Sequence, residues 1–181
     1  ATTGDGGMLI TNDPELDRRF RLWRQHGMSV SDTVRHGSRQ VVHESYSEIG
    51  FNYRMTDIQA ALGREQVRRM PDMIPARRRI ARLYGERLGA IKGIGLPVEP
   101  AYARSNWQSY CIRLPPGCEQ REVMQKLLDR GISTRRGIMN AHLEKPYLDP
   151  DQSIVSSLVR SEKAQAECIM LPIFAQMTDA E

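Results

Sequence analysis

Three stretches of this chain gather residue types that could do chemistry on anions. In "EIGFNYRMTDIQAALG", residues 48–63, Asn52 and Arg54 alternate with Phe51 and Tyr53 directly ahead of a helix start. An amide and a guanidinium are good donors, and a helix N-terminus attracts negative charge through its free N–H groups and its dipole. Asn52, Arg54 and the start of the following helix therefore form a candidate phosphate site. The plainer reading makes Phe51 and Tyr53 core residues and Arg54 a surface charge.

In "TTGDGG", residues 2–7, glycines would let backbone amides approach an anion. No GKS or GKT ending and no GxGxxG spacing accompany them, so a tight turn entering a strand is the simpler expectation. In "NAHLEKPY", residues 140–147, His142 stands in a polar loop near Glu144 and Tyr147. It is a candidate ligand contact or general acid–base group, beside the plain reading of a structural histidine. No GxSxG is present, and His26, His36 and His43 are too scattered to make a metal set.

The elements that must position these residues follow from local signals. "MLIT", residues 8–11, is a short apolar run that reads as a buried strand. Asp13 is placed to cap a helix with Pro14 at its first position and Leu16, Phe20 and Trp23 on one face, ending near His26-Gly27. Residues 28–50 read as a long polar loop. Thr56 and Gln59 form a capping-box pattern for a helix over 57–70. Pro71 and Pro75 are expected to break it, with Pro75 opening a second, long amphipathic helix. The "RRR" run at 77–79 reads as a solvated helix face.

From Gly93 the punctuation changes, which places the expected domain boundary there, giving residues 1–92 and 93–181. The second part reads as a strand over 107–114, a helix over 121–130 stopped by Gly131, a strand at "GIST", a loop over 135–150, a helix over 157–168 and a strand in "IMLPIF". That alternation predicts a small α/β subdomain beside a helix-rich first half.

The bulk numbers bound the rest. The chain has 181 residues, 40% hydrophobic and 27% charged, ordinary for a globular protein able to bury a core. No apolar run reaches the length of a membrane helix, and the start carries no signal-peptide pattern, so a soluble, cytoplasmic protein with no membrane partner is expected. Cys111, Cys118 and Cys168 are odd in number with no CxxC, which argues against a disulfide framework or a zinc site. Only four of the 26 basic residues are lysine, and arginine reads phosphate and carboxylate well. The arginines are not interleaved with stacking aromatics, which argues against a nucleic-acid partner.

Taken together and in order, "TTGDGGMLITND", "GFNYRMTDIQAALGREQ", "NWQSYCIRLP", "GISTRRGIMNAHLEKPY" and "IMLPIFAQMT" resemble the DegT/DnrJ/EryC1/StrS family of sugar aminotransferases. The resemblance implies an α/β chain that is the C-terminal portion of a fold type I pyridoxal-phosphate (PLP) transferase, comprising the end of the large domain and the small domain. It further implies a homodimer that moves an amino group, usually from glutamate, to a keto group of a nucleotide-linked sugar. The family's Schiff-base lysine lies just before its TTG(E/D)GG block, upstream of Ala1, and Lys92, Lys126, Lys145 and Lys163 match none of the motif positions. No catalytic residue is therefore expected within the chain, which should be inactive by itself.

By the same resemblance Asn52 contacts the PLP phosphate of the other subunit, with Arg54 its neighbour in the block. Thr2, Thr3, Gly4 and Gly6 shape the turn behind the lysine. Trp107, Tyr110 and His142 fall on the sugar-nucleotide side, although Gln108 stands where many members have His. Two alternatives stay open: a PLP- or PMP-dependent sugar dehydratase of the same family, and a non-catalytic binding or regulatory module.

Overall fold

The computed structural model describes residues 2–148 and 158–181, which form two compact units, 1–70 and 71–181. The unit boundary falls ahead of the position expected from composition, because the long helix that precedes Gly93 supplies core residues to the second unit.

In the first unit α1 (Pro14–Trp23) starts as its sequence predicts. The Asp13 carboxylate accepts from the backbone N of Glu15 and Leu16, and Pro14 occupies the first turn, where a missing N–H costs nothing. Glu15 with Arg18 and Asp17 with Arg21 add ion pairs along the exposed face. The helix stops at Trp23, short of His26-Gly27. Residues 28–50 are more ordered than their composition suggests. A short helix, α2 (Asp32–Gly37), is capped by Ser31, and Ser29 N donates to Ser45 O at 2.8 Å beside a bridge between Met28 and Tyr46.

Helix α3 (Asp57–Arg68) carries the predicted capping box, with Thr56 and Gln59 bonded in both directions. Its Ile58 and Val67 remain exposed. "MLIT" departs from expectation: it pairs with no strand among the described residues, and Met8 and Ile10 are 80% and 89% exposed. A strand exists only through a partner's hydrogen bonds, and here none is supplied.

The second unit is built on α4 (Met70–Leu88). The chain breaks at Arg69, and α4 begins before Pro71, which sits in the first turn at no cost, while Pro75 lies inside the helix instead of opening it. Three antiparallel strands, β1 (Tyr110–Arg113), β2 (Arg135–Arg136) and β3 (Cys168–Leu171), stand in the order β1-β3-β2, with Tyr110 opposite Leu171 and Arg135 opposite Met170. The "GIST" segment is not itself a strand, since pairing begins at Arg135. Helices α5 (Gln120–Leu128) and α6 (Val159–Glu167) precede β2 and β3 respectively. The expected loop over 135–150 contains two short 3-10 turns, Ala141–Leu143 and Lys145–Tyr147; Asp149, Pro150 and Ser157 lie outside the described residues.

Period-2 alternation puts Tyr110 and Ile112 on one face of β1, where they form a core with Ala81, Leu114 and Ile169. Tyr84 and Leu88 of α4 and Val123, Met124 and Leu127 of α5 pack against it. The Tyr84 and Tyr110 rings lie 5.0 Å apart, and burial pushes both phenols above their usual range. The fold is thus mixed α/β, as expected.

Candidate functional site

In the first unit the segment carrying Asn52 is zipped onto the end of α1. Phe51 N donates to Trp23 O at 2.7 Å, His26 N to Phe51 O at 3.0 Å and Tyr53 N to Arg24 O at 2.9 Å, with Gln25 and Asn52 forming a bridge. The two backbones meet at glycines. A Cβ on Gly27 would lie 2.0 Å from Glu48 O, and one on Gly50 would lie 2.1 Å from Gly27 N. His26 and Gly27 both take positive φ, 66° and 71°, to make the approach. Trp23 Nε1 donates to Glu48 Oε2, and Arg19 lies 4.5 Å over the Trp23 ring, which ties the other end of the segment to α1.

This strap decides where the candidate residues stand. Phe51 and Tyr53 stack at 5.1 Å, but both are exposed, so they are not core residues, contrary to the plainer reading of this stretch. Asn52 alternates with them and is also exposed. Arg54 follows two residues on and is likewise exposed. The α3 N-terminus beyond them is engaged by its own capping box, and Asp57 puts a carboxylate in its first turn.

The TTGDGG turn is seated on α3. Thr3 Oγ1 and Gln59 Nε2 both donate to Asp5 O, at 2.7 and 3.2 Å. Gly6 has φ of 145°, and a Cβ there would lie 2.7 Å from Thr3 Oγ1 and 2.9 Å from Met55 Cε. A Cβ on Gly63 would stand 3.1 Å from the Thr3 methyl. The turn is a shaped structural piece held by Thr2 and Thr3 of its own and by Gln59 of α3.

In the second unit Trp107 and Tyr110 come together, their rings 5.4 Å apart. Tyr110 is only 2% exposed and belongs to the core of the second unit. Trp107 is half-buried and holds a φ of 50°, uncommon for a bulky residue. The arginine run of α4 keeps it there. Arg77 Nη1 donates to Trp107 O at 3.0 Å and Gln108 O at 3.1 Å, while Arg78 grips Glu99 with two nitrogens and also reaches Ser105 O. The hydrogen bond from Arg78 is the main reason the Glu99 carboxyl sits below its usual range.

Arg79 pairs with Asp179 and donates to Met177 O. "RRR" is therefore three staples to three segments and not a solvated face. Sequence reasoning missed this because the partners lie from 21 residues (Arg78 to Glu99) to 100 residues (Arg79 to Asp179) away.

His142 has a separate setting in the first 3-10 turn of its loop. Its Nε2 lies 3.1 Å from Glu162 Oε1 on α6. Two residues earlier Asn140 is buried, bonded to Ser161 and Gln165 of the same helix. Among the described residues no group of His, Cys, Asp and Glu could hold a metal, and no helix is long and apolar enough to cross a membrane.

Comparison with known proteins covers the whole chain. Residues 1–181 match the model of the DegT/DnrJ/EryC1/StrS aminotransferase family. GDP-perosamine synthase of Caulobacter vibrioides is 30% identical over 99% of this chain and 46% of its own length. Among solved structures, aminotransferase TlmJ from Streptoalloteichus hindustanus superposes with a TM-score of 0.79 at 30% identity, over 98% of this chain and 44% of that one. DesV of S. venezuelae gives 0.72 at 29% identity, over 93% and 42%. The chain spans about half the length of the curated relatives it matches. With its motifs in order and every residue inside the match, the chain belongs to the DegT/DnrJ/EryC1/StrS aminotransferase family.

Proposed function

We propose that this chain is the C-terminal half of a PLP-dependent aminotransferase that works as a homodimer. It moves an amino group, from glutamate, to a keto group of a nucleotide-linked deoxysugar. The observation that carries the reading is the family match over residues 1–181, supported by sugar-aminotransferase relatives such as GDP-perosamine synthase.

The donor set fits the cofactor's phosphate. Asn52 offers an amide from a strap whose backbone is fixed by three hydrogen bonds and two glycines in contact, and Arg54 adds a guanidinium two residues on. PLP, when bound, supplies the electron sink that such chemistry needs. Asn52 and Arg54 hold its phosphate and so fix its orientation. The Thr3 and Gly6 turn shapes the backbone beside the cofactor, and Trp107 and His142 bind the nucleotide sugar. None of the chain's lysines becomes the cofactor's covalent partner. Lys126 and Lys163, for example, pair with Glu122 and Glu167 along exposed helix faces. The complete protein supplies that group from its other half.

The test is intact-mass spectrometry of the complete protein after PLP and borohydride. A stable adduct outside residues 1–181 is expected, and Asn52→Ala and Arg54→Ala should each weaken PLP binding about tenfold or more, the usual worth of a hydrogen bond to a charged group. No adduct, or an adduct on one of the four lysines of this chain, would sink the reading.

A further inference from the structure

The turn that carries His142 is gripped by one face of α6. Ser161 Oγ donates to Asn140 Oδ1 at 2.5 Å, Asn140 N donates to Gln165 Oε1 at 2.6 Å, and Glu162 Oε1 lies 3.1 Å from His142 Nε2. Positions 161, 162 and 165 fall on neighbouring rows of a helix, so two contacts hold Asn140 at the start of the turn and one holds His142 within it. The grip keeps Asn140 buried, 8% exposed, even though its Nδ2 has no partner among the described residues.

The chemistry of the third contact is directional. An ionised carboxylate only accepts hydrogen bonds, so the proton between Glu162 and His142 belongs to Nε2. A neutral imidazole has one N–H, which leaves Nδ1 as a bare lone pair. A group that meets this histidine at Nδ1 must then bring its own proton. A hydroxyl does; an ionised phosphate oxygen does not.

We propose that Glu162 is the positioning residue for His142. It fixes the ring's orientation and its Nε2–H tautomer, which leaves Nδ1 as the nitrogen able to accept from a hydroxyl of the sugar and not to donate to a phosphate oxygen. This rests on the reading of His142 as a substrate contact made above.

Two measurements test it, at a pH well above the ordinary imidazole range. In long-range 15N–1H spectra of the chain's four histidines, with His142 assigned from His142→Gln, His142 should show a single Nε2–H tautomer. Glu162→Ala should bring in the Nδ1–H form. Glu162→Gln, whose amide oxygen can still accept, should largely restore the wild-type spectrum. Ser161→Ala, which removes the neighbouring bond to Asn140, should leave the tautomer untouched.

In calorimetry on the complete protein, Glu162→Ala should weaken UDP-glucose binding about five- to tenfold, the usual worth of one hydrogen bond, and leave UDP unchanged. A Glu162→Ala spectrum identical to wild type, or equal losses for UDP and UDP-glucose, overturns the assignment. The spectra decide the role of Glu162 even where neither probe binds.

Discussion

Replacing Gly50 with alanine should unfasten the strap that presents Asn52. The added Cβ would lie 2.1 Å from Gly27 N, 2.4 Å from His26 C and 2.9 Å from His26 Cα, all backbone atoms that no rotamer change can move aside. Relief requires the 51–53 segment to lift from residues 23–26, which removes three backbone hydrogen bonds of 2.7 to 3.0 Å. At about 1 kcal/mol net for each bond, the expected loss is about 3 kcal/mol, a large share of an ordinary domain's stability.

Native-state hydrogen exchange is the direct assay. The amides of His26, Phe51 and Tyr53 should lose protection together in Gly50→Ala, with a lower denaturation midpoint for the first unit. Gly37→Ala is the matched control, because its Cβ would meet nothing within 4 Å and its φ is not positive, so stability should hold or rise slightly. Unchanged protection of the three amides in Gly50→Ala would refute the argument that backbone contact at Gly27 and Gly50 sets the position of Asn52.

Thr56→Ala removes one half of the capping box and should cost about 1 kcal/mol, read as fraying of α3 in circular dichroism. Tyr84→Phe removes the phenol's bond to Pro172 O, 2.7 Å long and half-buried, and should cost about 1 kcal/mol in denaturant titration. Glu99 is held below its ordinary 4.5 chiefly by its hydrogen bond to Arg78, so its contribution is fully present above that value and is lost as the pH falls through the depressed one. Glu99→Gln should therefore flatten the acid limb of the stability curve relative to wild type.

Features written within one turn of chain could be read from the sequence. Asp13 with Pro14, and Thr56 with Gln59, specify their helix starts by contacts two or three residues away, and both are found as expected. What could not be read depends on distant partners. "MLIT" has strand composition, but a strand needs a second backbone. Helix α2 hides in a polar stretch because a single valine gives it no apolar period.

The candidate site divides in the same way. Asn52 and Arg54 were visible as types and spacing, whereas the reason they are held, Gly27 against Gly50, joins residues far apart in the chain. Tyr110 shows the converse. The family resemblance sets it among substrate contacts, whereas its burial follows from strand alternation that turns it inward to the core.

The strand order of the second unit governs how the protein is made. The central strand, β3, is the last of the three to be synthesised, and it is the strand through which β1 and β2 join one sheet. At roughly 5–20 residues per second, β1 waits about 3 to 11 s on the ribosome before Cys168–Leu171 can be added. Tyr110 and Ile112 spend that interval without the strand that covers them. The sheet can close only after β3 has left the exit tunnel, so pausing or termination ahead of residue 168 should hand the cell a chain for chaperones and not a smaller folded domain.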